Sequence, residues 1–180
     1  MGREIALASL LAGYRTILED VSDSRLRQAV DWIGNLSAEP RSRLRTASKI
    51  EEAVREADLI IEAVAEEMEM KIEMFTIFDK FAKPDAIFAS SSPSISIAEL
   101  AAVTFCPERC IGMRFVSVPW KNTLELVYAP QTSEETVARC REVGRRMGKE
   151  IMVAKGMGPL PQDASATKAT DPVPRAISQD

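Results

Sequence analysis

The stretch "IGMRFVSVPW" (111–120) is an apolar run into a loop, and its one charged residue is Arg114. A guanidinium donates hydrogen bonds but stays protonated at any working pH, so Arg114 cannot act as a general base. No histidine exists anywhere in the 180 residues to take that role. The thiols are Cys106, Cys110 and Cys140, an odd set in which the first two flank "PER". No fourth ligand accompanies them, so free or buried thiols in a reducing cytoplasm are expected, and no metal site. "RTILED" ends on two carboxylates, Glu19 and Asp20, at the close of a short apolar segment.

Alternating elements must position these residues. "GREIALASLLAGY" has apolar residues at helical spacing and stops at Gly13. A strand, "RTILED", follows, then a helix, "SDSRLRQAVDWIGNL", with Leu26, Val30 and Ile33 on one face. "SKIEEAVREA" reads as a short helix capped by Ser48, and "DLIIEAV" as a strand. "EMEMKIEMFTIFDKFA" sets Met70, Met74, Ile77, Phe78 and Phe81 on one stripe, expected to be core. Strand "AIFAS", helix "SIAELAAVT", strands "CIGMRFV" and "TLELVYA", helix "SEETVARCREVGRRMG" and strand "EIMVA" complete the pattern. Short apolar strands between amphipathic helices predict an α/β fold, a parallel sheet covered on both faces.

From residue 156 the periodicity stops. "KGMGPLPQDASATKATDPVPRAISQD" has four prolines and no aromatic residue. A folded domain over 1–155 and a disordered tail over 156–180 are therefore expected. Apolar residues at 46% and charged residues at 28% suit a globular chain, and a net charge of -4 argues against nucleic acid as a partner. The basic stretch "RSRLRTASK" (41–49) lies beside acidic runs and reads as a solvated loop. No apolar run is long enough to span a membrane.

Several segments, in order, carry a resemblance: "EADLIIEAVAEEMEMKIEMF", "DKFAKPDAIFASSSPSISIAELA", "PERCIGMRF", "LELVYAPQTSEETV" and "RRMGKEIMVAK". Together they resemble the NAD-binding domain of L-3-hydroxyacyl-CoA dehydrogenases, over about residues 1–155. The resemblance implies a doubly wound Rossmann domain, here expected without its first strand and without the C-terminal helical domain. Gly2 matches the last glycine of the fingerprint that brings backbone amides to the pyrophosphate. Asp20 ends the next strand, at the distance where an acidic residue accepts the adenosine ribose hydroxyls. Glu66 and Lys71 match NAD-contacting positions; for Lys71 the alternative is an i,i+4 pair with Glu67. In "ASSSPSIS", Ser91 stands for the family's Asn, Ser92 for its Thr and Pro93 for a functional Ser.

The same resemblance marks departures. Arg114 occupies the place of the catalytic histidine, and Glu125 matches its orienting glutamate with one residue deleted between them. Loss of a general base removes roughly 10²–10⁴ in rate. Ser117 stands for an Asn near the nicotinamide, and the stretch between Asp20 and Ser48 is shorter than the family's helical hairpin at coenzyme A. A central strand missing three or four side chains, at ~1.5–3 kcal/mol each, would cost about as much as a domain's whole ~5–15 kcal/mol. The expectation is that another segment fills its place or that the true start lies upstream. Three readings follow: a 3-hydroxyacyl-CoA dehydrogenase domain impaired in catalysis, a non-catalytic NAD-binding or interaction module, and a truncated gene product. NAD is the expected cofactor and an acyl-CoA or small hydroxyacyl compound the implied substrate. The sequence leaves the oligomeric state open.

Overall fold

The computed structural model describes residues 1–34, 42–118 and 121–156, and only the backbone of Ser117, Val118 and Lys121. The expected tail thus lies outside the described residues, apart from Gly156. In chain order the elements are α1 (Gly2–Leu11), β1 (Thr16–Glu19), α2 (Asp23–Gly34), β2 (Leu44–Ala47), α3 (Ile50–Val54), β3 (Leu59–Glu62) and α4 (Met68–Phe81). There follow β4 (Ile87–Ser90), α5 (Ile97–Ala101), β5 (Cys110–Val118), β6 (Lys121–Tyr128), α6 (Glu134–Arg146) and β7 (Glu150–Lys155).

Glycine ends two of these helices in one way. Gly13 has φ +89°, its N–H reaches the Leu10 carbonyl, and the next N–H, of Tyr14, reaches Ser9. Gly148, at φ +70°, repeats the pattern after α6, with N–H bonds from Gly148 to Arg145 and from Lys149 to Gly144. A side chain at either position would strain this left-handed turn, which satisfies the last carbonyls.

The strands form two groups. β1 and β2 pair in parallel, and β3-β4-β5-β6-β7 make a five-stranded sheet. All its pairs are parallel except β5 with β6, which run antiparallel. The expected parallel sheet is present, with this one antiparallel pair inside it. Only residues 119–120 separate the two strands, too few for the crossover a parallel pair needs. No strand among the described residues bridges the two groups.

Alternation along the strands buries both faces of the larger sheet. Phe88 and Val127 point to the side covered by α4 and α5, where Phe75, Phe78 and Phe88 meet at 5.6–6.3 Å between ring centroids. Ile87, Ala89, Ile111, Met113, Leu124 and Leu126 face α6, joined by Cys140. A third cluster, Ala6, Leu10 and Ile33 with Leu18 and Leu44, seats α1 and α2 against β1 and β2. Two local readings need correction. Lys49, not Ser48, holds the N-cap position of α3, with no side-chain cap bond. Of the expected stripe on α4, Phe78 is buried and Met74 and Phe81 pack against the core, but Met70 is exposed, and the fully buried line is Lys71, Phe75 and Phe78 at i, i+4, i+7. No helix among the described residues is long and apolar enough to cross a membrane.

Candidate functional site

The carboxyl ends of parallel strands share one edge of a sheet, where open α/β folds bind ligands. At the end of β3, Glu62 is buried, with 1% of its side chain exposed. Its carboxylate accepts Lys71 Nζ at 2.9 and 3.0 Å, the Val64 N–H at 3.1 Å and the Ser90 hydroxyl at the end of β4. Lys71 also donates to the Val64 carbonyl at 3.4 Å and lies 3.4 Å from Glu66. Lys71 thus pairs with Glu62 and Glu66; the i,i+4 pair with Glu67 does not form. Glu62 is the residue that sequence reasoning passed over, because Lys71's place on the buried line of α4, which calls for a buried carboxylate, emerges only in the structure.

Glu66 carries the network onward. Its carboxylate accepts the hydroxyls of Ser92 and, at 2.6 Å, Ser94. Burial pushes this carboxyl up, but the two serines and the Lys71 ammonium outweigh it and hold the group below its ordinary value of 4.5. Ser92 Oγ in turn accepts the N–H groups of Ser94 and Ile95, which pins the loop after β4. Ser91 gives its N–H to the Glu62 carbonyl at 3.1 Å, and Pro93 is exposed.

Arg114 closes the chain of contacts. It stands opposite Glu125 in the β5–β6 pair, with both residues buried. Its Nε donates to the Ser92 carbonyl at 2.9 Å, and Nη1 lies 3.6 Å from Glu125 Oε2. Arg114, Glu125, Ser92, Glu66, Lys71 and Glu62 therefore form one connected polar path. Ser117 pairs with Asn122 through the backbone register, and its side chain lies outside the described residues.

The other end of the edge is built by α1 and β1. A short turn joins them, so the start of α1 lies level with the end of β1. The first N–H groups of α1 have no acceptor within the helix. A Cβ added at Gly2 would stand 3.7 Å from Ala63 Cβ, an ordinary contact, which places the helix start beside the residue just past β3. Asp20 follows β1 directly, accepting the Ser22 N–H at 2.8 Å and facing Arg25 Nε at 3.1 Å. Free amides at a helix start and an acidic residue after the neighbouring strand fit the pyrophosphate and adenosine ribose of a dinucleotide.

The three thiols are elsewhere and unreactive: all are buried and free. Burial lifts Cys106 to about 11 and Cys110 and Cys140 to about 12, far from thiolate chemistry. Among the described residues no group of three or more metal-ligating side chains could hold an ion.

Fold and site together define a dinucleotide-binding domain of the Rossmann class. The sequence profile described as "3-hydroxyacyl-CoA dehydrogenase, NAD binding domain" matches residues 1–157. The chain belongs to this family, and NAD is the cofactor of its domain. A 3-hydroxybutyryl-CoA dehydrogenase of Bradyrhizobium diazoefficiens is 35% identical over 170 residues, covering 86% of this chain and 58% of the relative. The mitochondrial hydroxyacyl-coenzyme A dehydrogenase of Sus scrofa is 33% identical over 115 residues, 63% of this chain and 37% of its own. The crystal structure of (S)-3-hydroxybutyryl-CoA dehydrogenase from Ralstonia eutropha superposes with a TM-score of 0.81 at 28% identity, over 88% of this chain and 61% of that one. The chain thus matches between 37% and 61% of the length of these relatives.

Proposed function

We propose that this chain supplies the NAD-binding half of a 3-hydroxyacyl-CoA dehydrogenase and that it binds the dinucleotide without turning over a hydroxyacyl thioester at a useful rate. In this reading, Gly2 opens α1 to the pyrophosphate and Asp20 takes the adenosine ribose. Glu66, Ser91 and Ser117 line the way toward the nicotinamide, whose ring accepts hydride when NAD is bound. Lys71 acts at one remove. With its ammonium held by Glu62, it fixes the orientation of Glu66 rather than meeting the cofactor.

Arg114 carries the second half of the proposal. Oxidation of a 3-hydroxyl group requires a residue that accepts its proton as hydride leaves. At the position the resemblance gives to that residue stands a guanidinium, donating to the Ser92 carbonyl and facing Glu125. Neither action leaves it a lone pair, and no histidine elsewhere in the chain can substitute. The network it joins instead ties the β4 loop to the β5–β6 pair. We assign the folded unit to residues 1–155 and place it in a reducing compartment, in keeping with its free thiols.

Titration calorimetry with NAD, and the rise in melting temperature that binding to the native state produces, test the first half. An assay of NADH formation from 3-hydroxybutyryl-CoA tests the second. Binding with no turnover above the blank is expected, and Arg114→His alone should not restore it, since Pro93 and Ser117 still replace the Ser and Asn that the resemblance places beside the nicotinamide. Turnover by the unmodified chain that disappears in Glu125→Gln would overturn the proposal.

A further inference from the structure

Asp20 does not stand alone at the adenosine end. Arg25, in the first turn of α2, places Nε 3.1 Å from its Oδ1 and remains 65% exposed. Parallel pairing sets Glu19 opposite Ala47, so Ser48 and Lys49, both exposed, leave β2 beside Asp20. Carboxylates crowd this corner: Glu19 is pushed above its ordinary value by burial, then by Asp20 and Glu51. A cation is favoured in such a field, and Arg25 supplies it.

A free carboxylate after this strand accepts the ribose hydroxyls and disfavours a 2′-phosphate, whereas an arginine nearby accommodates one. This chain has both groups in contact. We propose that Arg25 determines dinucleotide specificity, cancelling the charge of Asp20 and offering its terminal amino groups to a 2′-phosphate, so that NADP binds alongside NAD. Because Glu19 and Glu51 oppose this cation, the result is weak discrimination rather than a preference for NADP. The inference rests on Asp20 as the ribose contact.

Titration calorimetry of the 180-residue chain with NAD and with NADP, for wild type and Arg25→Met, tests it. Arg25 is exposed, so the variant should fold, as its melting curve will verify. The two dissociation constants should lie within about tenfold in the wild type. Arg25→Met should weaken NADP by about tenfold, the worth of one charge-assisted hydrogen bond, and leave NAD unchanged or tighter. NAD binding with a selectivity ratio that Arg25→Met does not move overturns the inference alone. Failure of both dinucleotides to bind overturns the cofactor reading with it.

Discussion

Lys71 is a buried cation whose removal should be felt throughout the site. Its ammonium is bonded to both oxygens of Glu62, and each side chain is only 1% exposed. Lys71→Met would strand Glu62 in the core and should cost about 3–5 kcal/mol in urea denaturation. Converting Glu62 to Leu as well removes the stranded charge, so the double variant should recover much of that loss. A double variant no more stable than Lys71→Met would show that packing, not charge, is what Lys71 supplies. Glu66 gives a pH signature. Its carboxyl titrates below the ordinary value, so its stabilisation is full above pH 4.5 and fades as pH falls through the depressed value. The stability gap between wild type and Glu66→Gln should follow that course. A gap that stays constant to strong acid would mean Glu66 is not held by Ser92, Ser94 and Lys71 in solution.

Helix α6 is the cover of one face of the larger sheet, and its start is fixed by Ser133. The Ser133 hydroxyl accepts the Thr136 N–H at 3.1 Å, with Glu134 and Glu135 in the first turn and Arg145 and Arg146 in the last. Both charge placements suit the helix dipole. Ser133→Ala should therefore lower stability by about 1 kcal/mol, and Ser133→Asp should restore it. Equal denaturation midpoints for wild type and Ser133→Ala would show that water or Thr136 itself serves the first turn as well. Because α6 packs on β5, β6 and β7, weakening it acts on the strand that carries Arg114 without touching the polar network.

Across the whole molecule the two strand groups differ in strength. β4, β5 and β6 have strand neighbours on both sides, whereas β1 and β2 have only each other among the described residues. A two-stranded sheet is marginal without a packed cover, and α1 with α2 supplies that cover through the small cluster around Leu10. Amide hydrogen exchange should thus be fastest in β1 and β2 and slowest in β4 to β6. Since β1 leads to Asp20 and α1 starts at Gly2, NAD should slow exchange in that weaker group first. Uniform protection in the free chain, unchanged by NAD, would contradict both statements.

Much of this was legible in the sequence, and the reason is locality. Periods of two and about 3.6, a glycine at residue 13 and a Ser-Glu-Glu run at 133–135 act within a few residues, and so the order of elements and the α/β class follow from them, while the Rossmann topology was implied by the resemblance of several ordered segments. The absence of histidine from these 180 residues is likewise a fact of sequence alone. Tertiary structure decided which charges meet. Lys71 could pair with Glu67 one turn away or with Glu62 across a strand end, and burial of the α4 face against the sheet settled it on Glu62. The same face put Met70 in solvent. Arg25 reaches Asp20 because of where α2 leaves β1, and Arg114 meets Ser92 because β4 and β5 are neighbours. Such contacts depend on strand order and helix rotation, which no local pattern of residues records.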